Sequence, residues 1–210
     1  MMTFVVQVDL DFRLHFQDTV TAFTNDFPKW TSGIIAAARL SHKADLVSLL
    51  RDYDSQQHND PAPSIRDHTY ALLALLHLLP SCNTRQRAKL SSTELESSLL
   101  AFMPQQTSIQ LFVDAKKEKH KQPSLLCLGT KDEPGSFFLI LDAKAVSLGD
   151  CGTLKAIDCL FKTHFVYWVS YAKCLSLFME FLQKILYKIE PSRLSNRVRE
   201  LHSSILALNS

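Results

Sequence analysis

Apolar residues recur every three or four positions along most of the chain, which is the spacing of one face of an α-helix. Four phenylalanines between positions 12 and 27 have this spacing and favour a helix over about residues 11–27 that ends before Pro28. The alternation in Phe4–Val8 favours a short strand in front of it. The chain is therefore predicted to begin with a strand followed by an aromatic helix.

Three further helices are predicted before residue 105. The first begins at Thr31 or Ser32 and extends to about Tyr53, with room for a break near Ser41, and a polar segment with two prolines, residues 54–64, follows as an exposed loop. The other two are Ser64–Leu79, apolar nearly all round and therefore buried, and a helix from Ser92 or Thr93 to Met103, in which Thr93 and Glu96 form a capping box.

The pattern changes after residue 105, where short apolar runs replace long periodic ones. Residues 125–130 and 136–142 surround a Pro-Gly turn and predict a β-hairpin, to which residues 145–148 add a third strand. Residues 108–115 are ambiguous between helix and strand.

The last third of the chain predicts three helices, at residues 153–168, 171–190 and 194–208. Trp168 completes the apolar stripe of the first one. The predicted class is α+β, mostly helical, with a small antiparallel sheet at about 125–148 covered by these C-terminal helices. We expect one compact domain over residues 1–210, with an N-terminal helical part of residues 1–105 and a hairpin plus three-helix part of residues 106–210.

Composition narrows the functional classes. The chain has 210 residues and a net charge of +2, and its longest apolar stretch, Tyr70–Leu79, is too short to span a bilayer, so no membrane partner is expected. Its five glycines form neither GxGxxG nor a phosphate-binding loop, and we expect no cofactor. Five cysteines without CxxC or zinc-finger spacing predict reduced thiols, which with the lack of a signal sequence favours an intracellular location, cytoplasmic or nuclear.

No catalytic constellation is evident. Cys159 and His164 are five residues apart, which turns them about 140° from each other on a helix. Acid pairs such as Asp9 and Asp11 have nothing that distinguishes them from solvated surface acids. We therefore predict no catalytic, cofactor-binding or metal-binding residues, and a protein that is not an enzyme.

Two sets of residues are candidates for binding. Basic residues suited to phosphate contacts cluster before the hairpin and on the last helix: Lys116, Lys117, Lys119, Lys121, Arg193, Arg197 and Arg199. Such residues also occur simply as solvated surface. An apolar stripe in residues 171–190 offers an interaction surface at Phe178, Leu182 and Ile185, unless it packs in the core.

The second half also resembles a known group of proteins. LLCLGTKDEPGSFFLILDAKAV, LKAIDCLFKTHFVY, SYAKCLSLFMEFLQKILYKIEP and the final RVREL helix are similar to a large set of uncharacterised fish proteins associated with mobile elements. The resemblance extends from about residue 30 to the end, and some members carry a sterile alpha motif domain upstream. It implies a C-terminal module of a longer protein and carries over no catalytic residue.

Two functions follow as hypotheses. The first is a non-enzymatic protein-interaction or scaffold module whose partner is another protein or a second copy of itself. The alternative is a nucleic-acid-associated domain of mobile-element origin that uses the seven basic residues.

Salt dependence separates the two hypotheses. If the chain binds DNA or RNA, its affinity should fall steeply with ionic strength, by about one logarithmic unit of slope for each phosphate neutralised. Replacing Lys116, Lys117, Lys119 and Lys121 with alanine should flatten that slope in a fluorescence-anisotropy titration. An absence of binding at about 50 mM salt, where phosphate contacts are strong, would contradict the nucleic-acid hypothesis.

Overall fold

The computed structural model describes residues 3–55, 64–79, 90–116, 122–149, 151–191 and 193–209. The described residues are mostly helical and include one small sheet, so the predicted α+β class is confirmed. The helices are α1 (Phe4–His15), α2 (Ala22–Arg39), α3 (Ala44–Asp54), α4 (Ile65–Leu78), α5 (Ser92–Leu99), α6 (Ile109–Lys116), α7 (Thr153–Val166), α8 (Ser176–Phe181) and α9 (Asn196–Asn209). The strands are β1 (Leu100–Met103), β2 (Ser124–Leu128), β3 (Ser136–Leu141) and β4 (Lys144–Ser147).

None of the described helices is long and apolar enough to cross a membrane. Most of the predicted polar loop at 54–64, together with Cys82, Lys117, Lys119 and Lys121, lies outside the described residues.

The predicted N-terminal strand is wrong, because Phe4–Val8 begins helix α1. Val8 and Phe12 are both about 1% exposed, and Phe4 and Phe16 pack against the same core. These four residues are spaced by four, so the helical period, rather than the local alternation, decides the structure. The alternating pattern in the first eight residues was too short to distinguish a strand from a helix.

Helix α2 passes through Pro28, where the sequence predicted an end. Pro28 has no N–H to donate to the carbonyl of Thr24, which costs a helix about 3 kcal/mol. Residues on both sides of the proline, Phe27 and Ile34 among them, are fully buried on one stripe. Burial of that continuous stripe offsets the lost hydrogen bond, since each large apolar side chain contributes about 1.5–3 kcal/mol. The predicted break near Ser41 is confirmed, because α2 ends at Arg39 and α3 begins at Ala44.

Helix α4 is the buried centre of the helical layer, as its all-round apolar sequence predicted. Ser64 caps it by accepting a hydrogen bond from the backbone N–H of Asp67, whose side chain accepts one in return from the Ser64 N–H. Every residue from Thr69 to His77 is buried, and α4 packs against α2, α3 and α7.

The predicted capping box of α5 is displaced by two residues. Ser91 and Glu94 form the box, while Glu96 accepts hydrogen bonds from His77 on α4 and Lys131 in the β2–β3 turn. The helix ends at Leu99 rather than Met103, because Leu100–Met103 form strand β1. Both Thr93–Glu96 and Ser91–Glu94 have the required spacing, and only the tertiary partners of Glu96 decide between them.

The sheet has the order β1-β2-β3-β4 and is mixed. The predicted antiparallel hairpin of β2 and β3 and the third strand β4 are confirmed, and β1 adds a parallel neighbour to β2 that the sequence did not indicate. Leu125 and Leu139 face the main core. Leu126 and Ile140 face the opposite side, where the ambiguous segment 108–115 forms α6 and covers them.

The C-terminal helices close the main core. The predicted helix at 171–190 is less regular than expected: a 3₁₀ turn (Lys173–Leu175) leads into α8, which continues as a π-helical turn over Leu182–Leu186. Helix α9 packs along α2, and a Cβ at Gly33 would meet the end of the exposed Asn209 side chain, which would have to move.

Leu182 provides a test of this packing. It is fully buried in the main core, so Leu182→Ala should lower the free energy of unfolding by about 2–5 kcal/mol, measured by urea denaturation. The matched control is Leu206→Ala on α9, where the leucine is 49% exposed and the loss should be within about 0.5 kcal/mol. Equal losses in the two variants would contradict the core assignment of residues 182–186.

Candidate functional site: an aromatic pocket beside Trp168

The basic residues of the sequence prediction are described only in part. Lys116 is the last residue of α6, and its side chain is not described. Arg193, just before α9, and Arg197 and Arg199 in its first turn are exposed, and the Arg199 guanidinium donates a hydrogen bond to the carbonyl of Leu194. The structure therefore places three exposed cations on one segment and leaves their relation to the lysines undescribed.

The predicted interaction surface at Phe178, Leu182 and Ile185 is wrong for the folded chain. Phe178 and Leu182 are fully buried in the main core, and Ile185 is half-buried against it. The reason is that α2, α9 and the segment before α8 cover the stripe from several sides. A binding surface on this chain must use other residues.

Cys159 and His164 lie on α7 but do not form a nucleophile and base. Burial raises the pKa of the Cys159 thiol to about 12, so the thiol is protonated near neutral pH. His164 Nδ1 lies 2.9 Å from the carbonyl oxygen of Val169, at the end of the helix. Among the described residues, no group of three His, Cys, Asp or Glu side chains is placed to hold a metal ion.

Five polar residues on α1, α7 and the segment after α8 form a buried ionic network. Lys162 Nζ donates hydrogen bonds to Asp9 Oδ1 and to Asp158 Oδ2, each 2.7 Å long. Lys155 Nζ lies 3.0 Å from Asp9 Oδ2, and the Tyr187 hydroxyl donates to Asp158 Oδ1 at 2.6 Å. The side chains of Lys162 and Asp158 are each only 1% exposed.

Every group of the network has a hydrogen-bond partner, although burial still raises the pKa of Asp158 above its usual range. Burial alone would raise the pKa of Asp9, but the hydrogen bonds from Lys162 and Lys155 outweigh it and lower the pKa. Burial, followed by the negative charge of Asp158, raises the pKa of Tyr187 well above its usual value, so the phenol stays a hydrogen-bond donor. Because both carboxylates and the buried ammonium are partnered within the protein, we assign the network a structural role: it fixes α1 against α7.

A pocket of about 340 Å³ opens where the ends of α1 and α7 meet the segment that leads to α8. This volume lies at the lower end of the range for small-ligand sites. Its walls are mainly aromatic and come from Phe12, Phe16, Phe165, Trp168 and Tyr171. Phe12 and Phe16 each pack edge-to-face on Phe165, with ring centroids 6.0 and 5.6 Å apart. We name this site the aromatic pocket.

Trp168 stands at this pocket with an unusual backbone conformation. It is 90% exposed and has a φ of +51°, in the left-handed region. The Val169 N–H donates to the His164 carbonyl and the Trp168 N–H to the Phe165 carbonyl, which is the Schellman arrangement that ends a helix. Glycine usually occupies that left-handed position, and a tryptophan there costs about 1–2 kcal/mol.

The sequence placed Trp168 wrongly, as the last inward residue of the α7 stripe. Helix α7 ends at Val166, and the left-handed turn then directs Trp168 outward. An exposed tryptophan in a strained conformation has no packing role that would account for it. No glycine or proline follows α7 until Pro191, so the sequence carried no signal for this end.

The aromatic pocket also has polar groups in its wall: His15, His164, Ser170 and Gln183. His164 is 5% exposed, and its Nε2 is buried without a hydrogen-bond partner among the described residues. A buried polar atom left in this state costs about 1–3 kcal/mol. His164 therefore lines a mainly apolar pocket and carries a buried polar atom that has no partner among the described residues.

The two lysines of the ionic network differ in burial and give a matched pair of variants. Lys162→Met should lower the free energy of unfolding by about 3–5 kcal/mol, because Asp9 and Asp158 would both lose the buried ammonium that pairs with them. Lys155→Met should cost at most about 1 kcal/mol, because Lys155 is 42% exposed and its ion pair is screened by solvent. Urea denaturation at neutral pH measures both, and similar losses would contradict a buried role for Lys162.

Comparison of the whole chain with protein-family models, with curated proteins and with solved structures found no match. The resemblance to the mobile-element-associated fish proteins stays a prediction, and the site has to be interpreted from its own geometry.

Proposed function

We propose that this chain is a non-enzymatic protein-interaction module and that it binds its partner through Trp168 and the aromatic pocket. The observation that carries the proposal is a 90% exposed tryptophan held in a left-handed turn beside an apolar pocket. Backbone strain of this kind persists where function requires it, and tryptophan is the residue most enriched at the energetic centre of protein interfaces.

A protein partner fits this surface better than a small molecule. The neighbouring Tyr167 is 45% exposed, so apolar surface continues from the pocket over Tyr167 and Trp168. A small molecule that filled the pocket would leave most of Trp168 in water. A partner that inserts one side chain and covers the tryptophan removes both apolar surfaces from water at once.

The alternative is nucleic-acid association. It is supported by the exposure of Arg193, Arg197 and Arg199, and the salt titration proposed from the sequence tests it. Self-association is a special case of the leading proposal, in which the partner is a second copy. Since Phe178 and Leu182 are buried, such a dimer would use the Trp168 surface.

Trp168→Gly separates binding from folding. Glycine suits the left-handed position, so the variant should unfold with a free energy equal to or up to about 1 kcal/mol above that of the parent chain. Peptides selected from a random display library on the parent chain should bind the variant at least about tenfold more weakly, a loss of about 1.4 kcal/mol. Isothermal titration calorimetry and urea denaturation measure the two effects.

The matched control is Tyr53→Phe, which changes an aromatic residue on α3, an element that contributes no residue to the pocket wall. It should leave peptide affinity unchanged. The proposed function is wrong if no selected peptide binds the parent chain more tightly than the Trp168→Gly variant. It is also wrong if the selected peptides shift NMR signals of residues outside the pocket.

A further inference from the structure

The protonation state of His164 defines the chemistry of the pocket wall. Its Nδ1 lies 2.9 Å from the carbonyl oxygen of Val169, and a carbonyl oxygen can only accept, so Nδ1 carries the hydrogen. Burial lowers the pKa of His164 more than this hydrogen bond raises it, which favours the neutral ring. In a neutral ring protonated at Nδ1, Nε2 is an acceptor. The unpartnered atom therefore needs a hydrogen-bond donor.

The walls around this acceptor select for a flat apolar group. Phe12, Phe16 and Phe165 present aromatic surface, and besides His164 the wall has further residues with polar groups, among them His15, Ser170, Tyr171 and Gln183. A ligand that satisfies the site must fill an aromatic slot and supply one donor. A charged group would lose its hydration without gaining a partner of opposite charge.

We propose that the aromatic pocket binds a tyrosine side chain of the partner protein and that His164 Nε2 accepts a hydrogen bond from the tyrosine hydroxyl. The inference rests on the proposed function and specifies its ligand. A phenylalanine would fill the slot and leave Nε2 unsatisfied. A tryptophan N–H would satisfy Nε2 but offer no acceptor, whereas the phenol oxygen also accepts from the Gln183 amide or the Ser170 hydroxyl in the same wall.

Binding requires a side chain to move, because Nε2 is covered in the unbound protein. Tyr171, a wall residue whose ring packs on the ring of His164, is the side chain that we infer moves. Its ring stands edge-on to the His164 ring with centroids 5.9 Å apart, and it is only half-buried in the wall. Side-chain rotations of this size commonly accompany binding at otherwise preformed interfaces.

The test uses p-cresol and toluene, which are the side chains of tyrosine and phenylalanine as free molecules. We expect p-cresol to bind about tenfold more tightly than toluene, since only p-cresol pairs with the buried acceptor. Both are titrated into ¹⁵N-labelled protein, and the Nε2 resonance of His164 is followed by long-range ¹H–¹⁵N NMR. Hydrogen bonding by p-cresol should shift that resonance, and toluene should leave it unchanged.

His164→Asn is the variant that isolates the acceptor. The asparagine side-chain N–H can keep the hydrogen bond to the Val169 carbonyl, and its Oδ1 takes the place of the ring carbon Cδ2, so no acceptor remains at the position of Nε2. The variant should fold with a similar melting temperature and bind p-cresol and toluene equally. Trp168→Gly serves as a second variant, in which both affinities should fall while the ratio between them is retained.

The outcomes distinguish this inference from the proposed function. Equal affinity of p-cresol and toluene for the parent chain, or an unshifted Nε2 resonance at p-cresol saturation, would overturn the tyrosine proposal and leave an aromatic docking site intact. If neither molecule shifts any residue of the pocket, the docking site itself is wrong. If His164→Asn keeps the preference for p-cresol, another donor or acceptor in the wall determines it and the role of His164 is refuted.

Discussion

The hydrogen bonds of one buried lysine hold together the end of the molecule that contains the aromatic pocket. Lys162 on α7 joins Asp9 on α1 to Asp158, and Tyr187 completes the set. Transfer of these charges from water costs several kcal/mol for each ion, and the network is favourable only because every group has a partner. The consequence is geometric: with α1 fixed on α7, Phe12 and Phe16 stand opposite Phe165 and form the walls of the aromatic pocket.

The way α7 ends determines which side chains surround the pocket. A Schellman turn satisfies the last carbonyls of the helix and forces the residue after it into the left-handed region. In this chain that residue is Trp168, so the same turn that ends the helix exposes the largest apolar side chain on the surface. The turn also brings the Val169 carbonyl to His164 Nδ1, which fixes the tautomer and leaves Nε2 as an acceptor.

No described strand contributes a residue to the pocket wall, and the sheet packs in the core instead. Its central strands are covered on one face by the main core and on the other by α6. The β2–β3 turn is fixed to the helical layer by Lys131, which pairs with Glu96, and by Asp132, which pairs with Arg66. Arg66 in turn lies over the paired rings of Tyr53 and Tyr70, with its guanidinium carbon about 5 Å from each centroid. These contacts tie the hairpin to α4 and leave the pocket to α1 and α7.

The sequence by itself determined the elements with a long, uninterrupted signal. Helix α4 and its cap at Ser64, the β2–β3 hairpin around the Pro-Gly turn, and the start of α7 were predictable because their periodicity or turn chemistry is local. The α+β class followed from those elements. The site did not follow, since no motif accompanies it: Trp168 was assigned to the core stripe, and His164 was considered only as a base for Cys159 and rejected.

Some sequence patterns fit two structures equally well, such as a core and an interface, and only the tertiary structure decided between them. Pro28 should end a helix, yet α2 continues because both sides of the proline are buried in one core. Phe178 and Leu182 have the spacing of an interface as well as of a core, and the surrounding helices bury them. Asp9, Asp158 and Lys162 are ordinary charged residues in the sequence, and only the meeting of α1 with α7 turns them into a network. Local spacing fixes which residues share a face, whereas burial energy, summed over contacts distant in sequence, decides which face is covered and which remains free to bind.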